Sequence, residues 1–282
     1  MAAAVDVSEL RKSYGDHEAV RGITFRIEEG EVFCLLGPNG AGKTTTVEIL
    51  EGYRSRDAGE VTVLGRDPGR RERSLRERMG VVLQHSETWP QVTVAETLRI
   101  YAGYYCDPRD VDEVIELVGL REKRDARVKT LSGGQKRRLD LGLALVGNPD
   151  IVFLDEPTTG FDPQARRNAW EMIRGLRALG KTILLTTHYL DEAQQLADRV
   201  AVLRDGLIVT EGTPAELVAS SRTEIRYREN GEVRVVETDE PTQALHELTS
   251  RAVGQGRELE ELEVRRRSLE DVYLELLRED ET

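Results

Sequence analysis

Val32-Phe33-Cys34-Leu35-Leu36-Gly37-Pro38-Asn39-Gly40-Ala41-Gly42-Lys43-Thr44 passes from a wholly apolar run through a glycine-rich loop into a helical pattern that reaches about Leu50. Consecutive apolar residues of this kind read as a short strand buried on both faces of a parallel sheet. The loop fits the G-x-x-x-x-G-K-[ST] phosphate-binding pattern and lies between strand and helix, as its mechanism requires. Its glycines let backbone amides approach phosphates closely, and the helix start adds partial positive charge. Lys43 can reach the β- and γ-phosphates, and Thr44 can ligate magnesium. Stripped of a ligand, the same residues would be only a tight strand-to-helix turn.

Ile151-Val152-Phe153-Leu154-Asp155-Glu156 is a second apolar strand, and it ends in two carboxylates. Ligands of open α/β sheets bind beyond the carboxyl ends of the strands, so both acids are expected on the edge that carries the phosphate loop. There Asp155 would hold magnesium through its water shell. Glu156 would polarise the water that attacks a γ-phosphate. Taken alone, two acids at a strand end are commonly just solvated.

Working outward, Ala4-Val5-Asp6-Val7 and Gly22-Ile23-Thr24-Phe25-Arg26-Ile27 alternate like half-buried antiparallel strands. Residues 60–64 and 79–83 read as further strands, and Thr182 to Thr187 as another buried one. Residues 93–147 read as mostly helical. Thr93 caps a helix whose apolar face includes Leu98 and Tyr101, and Val111 to Val118 is a second helix ended by Gly119. Strands alternating with helices imply a parallel α/β sheet carrying a helical insert. The pattern changes near Thr213-Pro214. Beyond it come a hairpin across Glu229-Asn230-Gly231, a helix near 241–253, a strand near 259–265 and a final helix from Ser268.

The 282 residues are 39% hydrophobic and 33% charged with a net charge of -12, a globular composition. That acidic balance argues against nucleic acid as the main partner, because neutralising phosphates needs a basic face. No apolar run approaches the roughly 18–20 residues that cross a bilayer. Met1 to Leu10 lacks a basic start and an apolar run, so no signal peptide is read and the chain is expected in the cytosol. Cys34 and Cys106 are too few for a disulfide framework or a Cys-rich metal site, and Cys34 reads as a small buried hydrophobe.

Leu131-Ser132-Gly133-Gly134-Gln135 decides between functional classes. Ser132 is a good N-cap for a helix through Leu139, Leu143 and Leu145, and the glycines bare amides at its positive end, a second anion site. With this segment the chain resembles the nucleotide-binding subunit of an ABC transporter. The resemblance implies a P-loop NTPase cassette over 1–214, with a parallel-sheet core, an antiparallel β subdomain and a helical subdomain at about 85–148. A small α+β module, 215–282, would serve assembly or regulation.

Further positions follow from that resemblance. Ser132, Gly133, Gly134 and Gln135 would close over ATP bound to the opposite subunit, held there by Gly37, Pro38, Asn39, Gly40, Ala41, Gly42, Lys43, Thr44 and Thr45. Gln84 resembles the glutamine that contacts magnesium and links the site to the membrane partner; alone it would be an ordinary surface residue. His188 matches the switch histidine that senses the γ-phosphate, so Glu156, His188 and Lys43 form the catalytic set and Thr44, Gln84 and Asp155 the metal set. Gly160-Phe161-Asp162 matches the loop that crosses the dimer interface, with Thr159 and Phe161 in place of the commoner serine and leucine. Tyr14 takes the place of the aromatic that stacks on adenine, or else is a partly buried tyrosine.

The implied partners are ATP with Mg2+, a second ATP-binding subunit (a homodimer) and a transmembrane permease on a separate chain. The chain would sit in the cytoplasm, peripheral to the inner face of the membrane. Trp89, Val92, Tyr101, Tyr104 and Tyr105 supply aromatic and apolar surface where the permease is expected to dock, or core for the helical insert. Ser268-Leu269-Glu270-Asp271-Val272-Tyr273 resembles the C-terminal segment of drug-exporter ATPases of the daunorubicin-resistance type, which implies export. A soluble ABC-type ATPase acting on nucleic acid or ribosomes is the alternative. Such proteins carry a long coiled-coil insertion, a tandem cassette or cysteine-rich zinc modules, and this sequence has none of them.

Overall fold

Alternating burial builds the first sheet of this computed structural model, which describes residues 3–82, 89–219, 223–229, 231–266, 271 and 273. Val5, Val7 and Leu10 of β1 (Ala3–Tyr14) point inward with Ile23, Phe25 and Ile27 of β2 (His17–Glu28). Both strands run well past the short alternating stretches legible in the sequence, because their outer ends are polar. The fully buried β3 (Val32–Leu36) then feeds the phosphate loop and α1 (Lys43–Leu50). β4 (Ala58–Val63) pairs antiparallel with β1 to complete the order β2-β1-β4. Leu64, expected within that strand, instead turns at φ 49°.

After α2 (Arg73–Arg76) and β5 (Met79–Val82) comes the helical insert of α3 (Val94–Ala102), α4 (Val111–Leu117) and α5 (Gly133–Leu145). Each insert helix starts on a side-chain cap. Thr93 and Glu96 form a reciprocal capping box, Asp110 accepts from the amides of Asp112 and Glu113, and Ser132 and Gln135 repeat the box at α5. Leu98, Val114, Ile115 and Leu139 are buried.

The remaining elements of the first unit are β6 (Ile151–Asp155), α6 (Pro163–Ala178), β7 (Thr182–Thr187), α7 (Leu190–Leu196), β8 (Arg199–Arg204) and β9 (Leu207–Gly212). The main sheet has the order β5-β6-β7-β3-β8-β9. Its pairs from β5 to β8 are parallel. Sequence periodicity missed α6, α7, β8 and β9. In α6 only Ile173 and Leu176 are buried. The four buried residues of β8 are flanked by arginines.

Phe25 and Phe33 stack at 5.4 Å and join the antiparallel sheet to the main one. Around them Val5, Val47, Leu50, Phe153 and Leu184 form one core, each large side chain contributing roughly 1.5–3 kcal/mol. This core holds the carboxyl ends of β3, β6 and β7 side by side.

The chain divides into two compact units, Met1–Glu211 and Gly212–Thr282. The second contains α8 (Pro214–Ala219), β10 (Thr223–Glu229), β11 (Glu232–Thr238), α9 (Pro241–Gly254) and β12 (Glu260–Arg266). Its sheet, ordered β11-β10-β12, is antiparallel. Ile225 and Tyr227 pack there with Leu248 of α9. Asn230 at the hairpin tip lies outside the described residues. So do Ser268, Leu269, Glu270 and Val272 of the final segment, in which Tyr273 is helical and buried.

Candidate nucleotide site

The phosphate loop is shaped by close backbone approach. A Cβ on Gly37 would lie 2.2 Å from the Leu203 carbonyl oxygen. One on Gly42, at φ 101°, would lie 2.3 Å from that of Ala19. Neither position accepts a side chain. Gly42 also ends the loop as the N-cap of α1, whose first turn carries Lys43, Thr44 and Thr45. Pro38, Asn39, Gly40 and Ala41 bridge from β3 to that turn, with Asn39 and Gly40 exposed and Ala41 buried.

The Lys43 side chain is buried, and its Nζ donates to the carbonyls of Gly37 at 2.8 Å and Pro38 at 3.0 Å. The same ammonium lies 3.5 Å from Glu156 Oε1. His188 Nδ1 sits 3.4 Å from that oxygen without making a hydrogen bond, so the buried ring nitrogen has no partner. Thr159 donates to Glu156 Oε2 at 3.1 Å. Burial alone would raise the Glu156 carboxyl, but the Lys43 charge, helped by His188 and Thr159, outweighs it and holds the group below its ordinary value. It is therefore ionised at neutral pH.

Glu156 has φ 46°, a left-handed backbone that a non-glycine residue keeps only when its surroundings hold it. Thr186 supplies the hold: its carbonyl and hydroxyl oxygens accept from the Glu156 amide at 3.2 and 3.0 Å. The Thr186 hydroxyl also donates to Asp155 Oδ1. Thr44 Oγ1 donates to Asp155 Oδ2 at 3.1 Å. A hydroxyl and a carboxylate this close are hard oxygen donors suited to Mg2+, which keeps waters and phosphate oxygens for the rest of its shell. No cluster of three or more His, Cys, Asp or Glu among the described residues offers an all-protein metal cage.

The structure therefore brings Lys43, Thr44, Asp155, Glu156 and His188 together at one sheet edge. Ser132, Gly133, Gly134 and Gln135 begin α5, where Ser132 and Gln135 satisfy each other through the capping box. Among the described residues no hydrogen bond joins them to Lys43 or Thr44. Gly133 and Gly134 share a cavity of about 530 Å³ with Glu156, Phe161 and Asp162. Asp162 caps α6 by accepting from the Ala165 amide at 2.8 Å. Tyr14, at the end of β1, is 40% exposed, and the charges of Lys12 and Arg54 lie 5.6 and 5.1 Å from its ring centroid. Gln84 lies outside the described residues.

Sequence reading did not find Thr186, which pins both acids, nor Thr159 as a partner of Glu156. The first is one of several threonines in an apolar strand and carries no motif. Thr159 was noticed only as a departure from serine, yet its hydroxyl still reaches the carboxylate.

A second cavity of about 660 Å³ lies beside α5 and β5, lined by Glu51, Tyr53, Tyr101, Tyr105, Asp140 and Leu143 among others. Burial, then the charges of Asp155 and Glu48, push the Glu51 carboxyl up to about 8. Exposed Trp89 and Tyr104 both contact Tyr101 edge-on.

Residues 20–159 match the ABC transporter family. The chain is 47% identical over 224 residues to the Nod factor export ATP-binding protein I of Paraburkholderia xenovorans (strain LB400), covering 77% of this chain and 73% of that one. It is 42% identical to the protein of the same name from Rhizobium sp. (strain N33), over 97% of this chain and 96% of the relative. Among solved structures, cbiO1 of Clostridium perfringens, part of the ABC transporter complex cbiONQ, superposes with a TM-score of 0.69 at 29% identity. That match covers 78% of this chain and 92% of cbiO1. An ATP-binding subunit of an ABC transporter matches the fold over 98% of this chain and 100% of its own, with a TM-score of 0.72. This chain belongs to the ABC transporter ATP-binding proteins, ATPases whose hydrolysis is coupled to transport.

Proposed function

We propose that two copies of this chain bind two MgATP head to tail, each phosphate loop facing the Ser132 helix of the other copy. Closure of the pair drives a separate transmembrane permease toward export, and hydrolysis reopens it. The observation that carries this reading is a site that stops half way. Lys43, Glu156 and His188 meet within one chain, while the exposed start of α5 stays out of their hydrogen-bond network. A helix N-terminus with bare glycine amides is an anion site, and among the described residues no hydrogen bond joins it to the chain's own phosphate loop.

Each residue has a role in that arrangement. Lys43 leaves the loop carbonyls for the β- and γ-phosphates. Thr44 and Asp155, with Gln84 on the family resemblance, hold Mg2+, which when bound neutralises charge on the phosphates. Glu156 accepts a hydrogen bond from the attacking water, and His188 orients it. Asp162 and its loop meet the partner copy.

Tyr14 stacks on adenine. Tyr14→Ala should weaken ATP binding by about 1–3 kcal/mol, the worth of a base–aromatic stack, and leave kcat intact; titration with a fluorescent ATP analogue reads this. Unchanged affinity would return Tyr14 to a structural part, packed beneath Arg54.

The aromatic cavity beside α5 receives the permease. Tyr53, Tyr101 and Tyr105 give the cavity an aromatic wall, and Arg71 and Arg76 line it beside Glu51 and Asp140. No helix among the described residues is long and apolar enough to cross a membrane, so translocation falls to that partner, at whose cytoplasmic face this chain works. Its relatives carry the word export in their names, and the unit from Gly212 onward serves assembly or regulation. The test is reconstitution with the permease. Tyr53→Ala, 64% exposed at the cavity, should keep the ATPase activity of the free chain and lose most stimulation by the partner. Undiminished stimulation would move the docking surface elsewhere.

A further inference from the structure

Glu192 is a fully buried acid that the mechanism above does not use. It stands on α7, four residues beyond His188. Its Oε1 accepts from Thr158 Oγ1 at 2.8 Å and from Trp170 Nε1 of α6 at 3.2 Å. Thr158 is two residues beyond Glu156 and is itself fully buried. One carboxyl oxygen thus ties the segment behind the candidate base to the helix behind the candidate switch histidine.

A second contact path closes the same loop. Arg166 of α6 places its guanidinium 4.3 Å over the Tyr189 ring, and that ring lies 4.0 Å from the His188 ring. Arg166 Nε is buried without a hydrogen-bond partner, as is Glu192 Oε2. These unspent groups show that Glu192 is not simply one half of a satisfied ion pair. A buried acid with an oxygen unpaired is costly to keep, and an apolar replacement would leave the Thr158 and Trp170 donors without an acceptor.

We propose that Glu192 is a positioning residue for hydrolysis, fixing the distance between Glu156 and His188 by cross-linking the turn after β6 to the start of α7. The inference rests on the roles given above to Glu156 and His188. The groups facing the carboxyl are Thr187 of β7, Thr158, and Trp170 and Arg166 of α6, with Cys34 of β3 near enough to feel its charge. Burial outweighs all of these and raises Glu192 above its ordinary value, which favours the neutral acid. Glutamine, uncharged and able to accept through the same oxygen, is then the conservative replacement.

The test compares steady-state ATPase kinetics of Glu192→Gln, Glu192→Ala, Thr158→Val and the Glu192→Ala/Thr158→Val pair in the full chain. Glu192→Gln should stay within about threefold of wild type. Glu192→Ala should lower kcat by about tenfold or more with KM for ATP nearly unchanged, since small misplacements of reacting groups are costly. The double variant should be no worse than Glu192→Ala, because one link is cut twice. Full kcat in a folded Glu192→Ala protein, or a loss seen in KM alone, overturns the proposal, as does a glutamine variant as impaired as the alanine one. If Glu192→Ala does not fold, Thr158→Val with Trp170→Phe decides, and full kcat there is equally fatal. An inactive Glu156→Gln beside an active Glu192→Ala sinks this inference alone, whereas an active Glu156→Gln sinks the reading it rests on.

Discussion

Glu156→Gln should bind MgATP normally and lose turnover by about 10²–10⁴-fold, the usual worth of a positioned general base. The amide keeps the shape and length of the side chain and can hold the same strained backbone, so the change isolates charge and basicity. It removes the anion that Lys43 faces at 3.5 Å, which leaves the ammonium free for phosphate and spares or strengthens binding. With the reopening step blocked, ATP should shift the protein to a stable dimer visible in sedimentation. Steady-state ATPase within a few-fold of wild type would remove Glu156 from the role.

Ser132→Arg and Lys43→Ala should each be inactive alone and regain activity when mixed. Ser132 is exposed and caps its helix from within, so arginine there blocks the partner's phosphates without touching the chain's own loop. Nucleotide affinity of the isolated Ser132→Arg monomer should therefore match wild type. Lys43→Ala removes the buried cation that the loop carbonyls hold ready. In a mixed two-fold dimer one of the two sites pairs an intact lysine with an intact serine, so random mixing restores about a quarter of the sites. No recovery on mixing, together with weak binding by monomeric Ser132→Arg, would mean that the segment acts on nucleotide within its own chain.

What could be read before any coordinates follows from how far apart the interacting residues lie. The phosphate loop is contiguous, and its glycines, lysine and threonine are each demanded by one ligand, so the motif announces itself. The Ser132–Gln135 cap is equally local. Thr158 and Glu192 are 34 residues apart and join only in space. No periodicity marks them, and a glutamate on a short helix reads as solvated surface. Tyr14 was placed by likeness to a family, and only the fold revealed Arg54 over its ring. Gln84 gained nothing, lying outside the described residues.

The strand order has a consequence during synthesis. β3, which launches the phosphate loop, lies between β7 and β8, and none of its neighbours in the sheet precedes residue 182 in the chain. At ribosomal speeds of about 5–20 residues per second, the roughly 150 residues separating Leu36 from its partner Thr187 take on the order of 8–30 s to appear. Through that interval β3 and its glycine loop have no neighbouring strand of the main sheet. Asp155 arrives before Thr186, the group that aligns it, and His188 arrives last. A nascent chain should thus acquire nucleotide affinity abruptly and late, once β7 slots between β3 and β6, and chains arrested before that point should retain none.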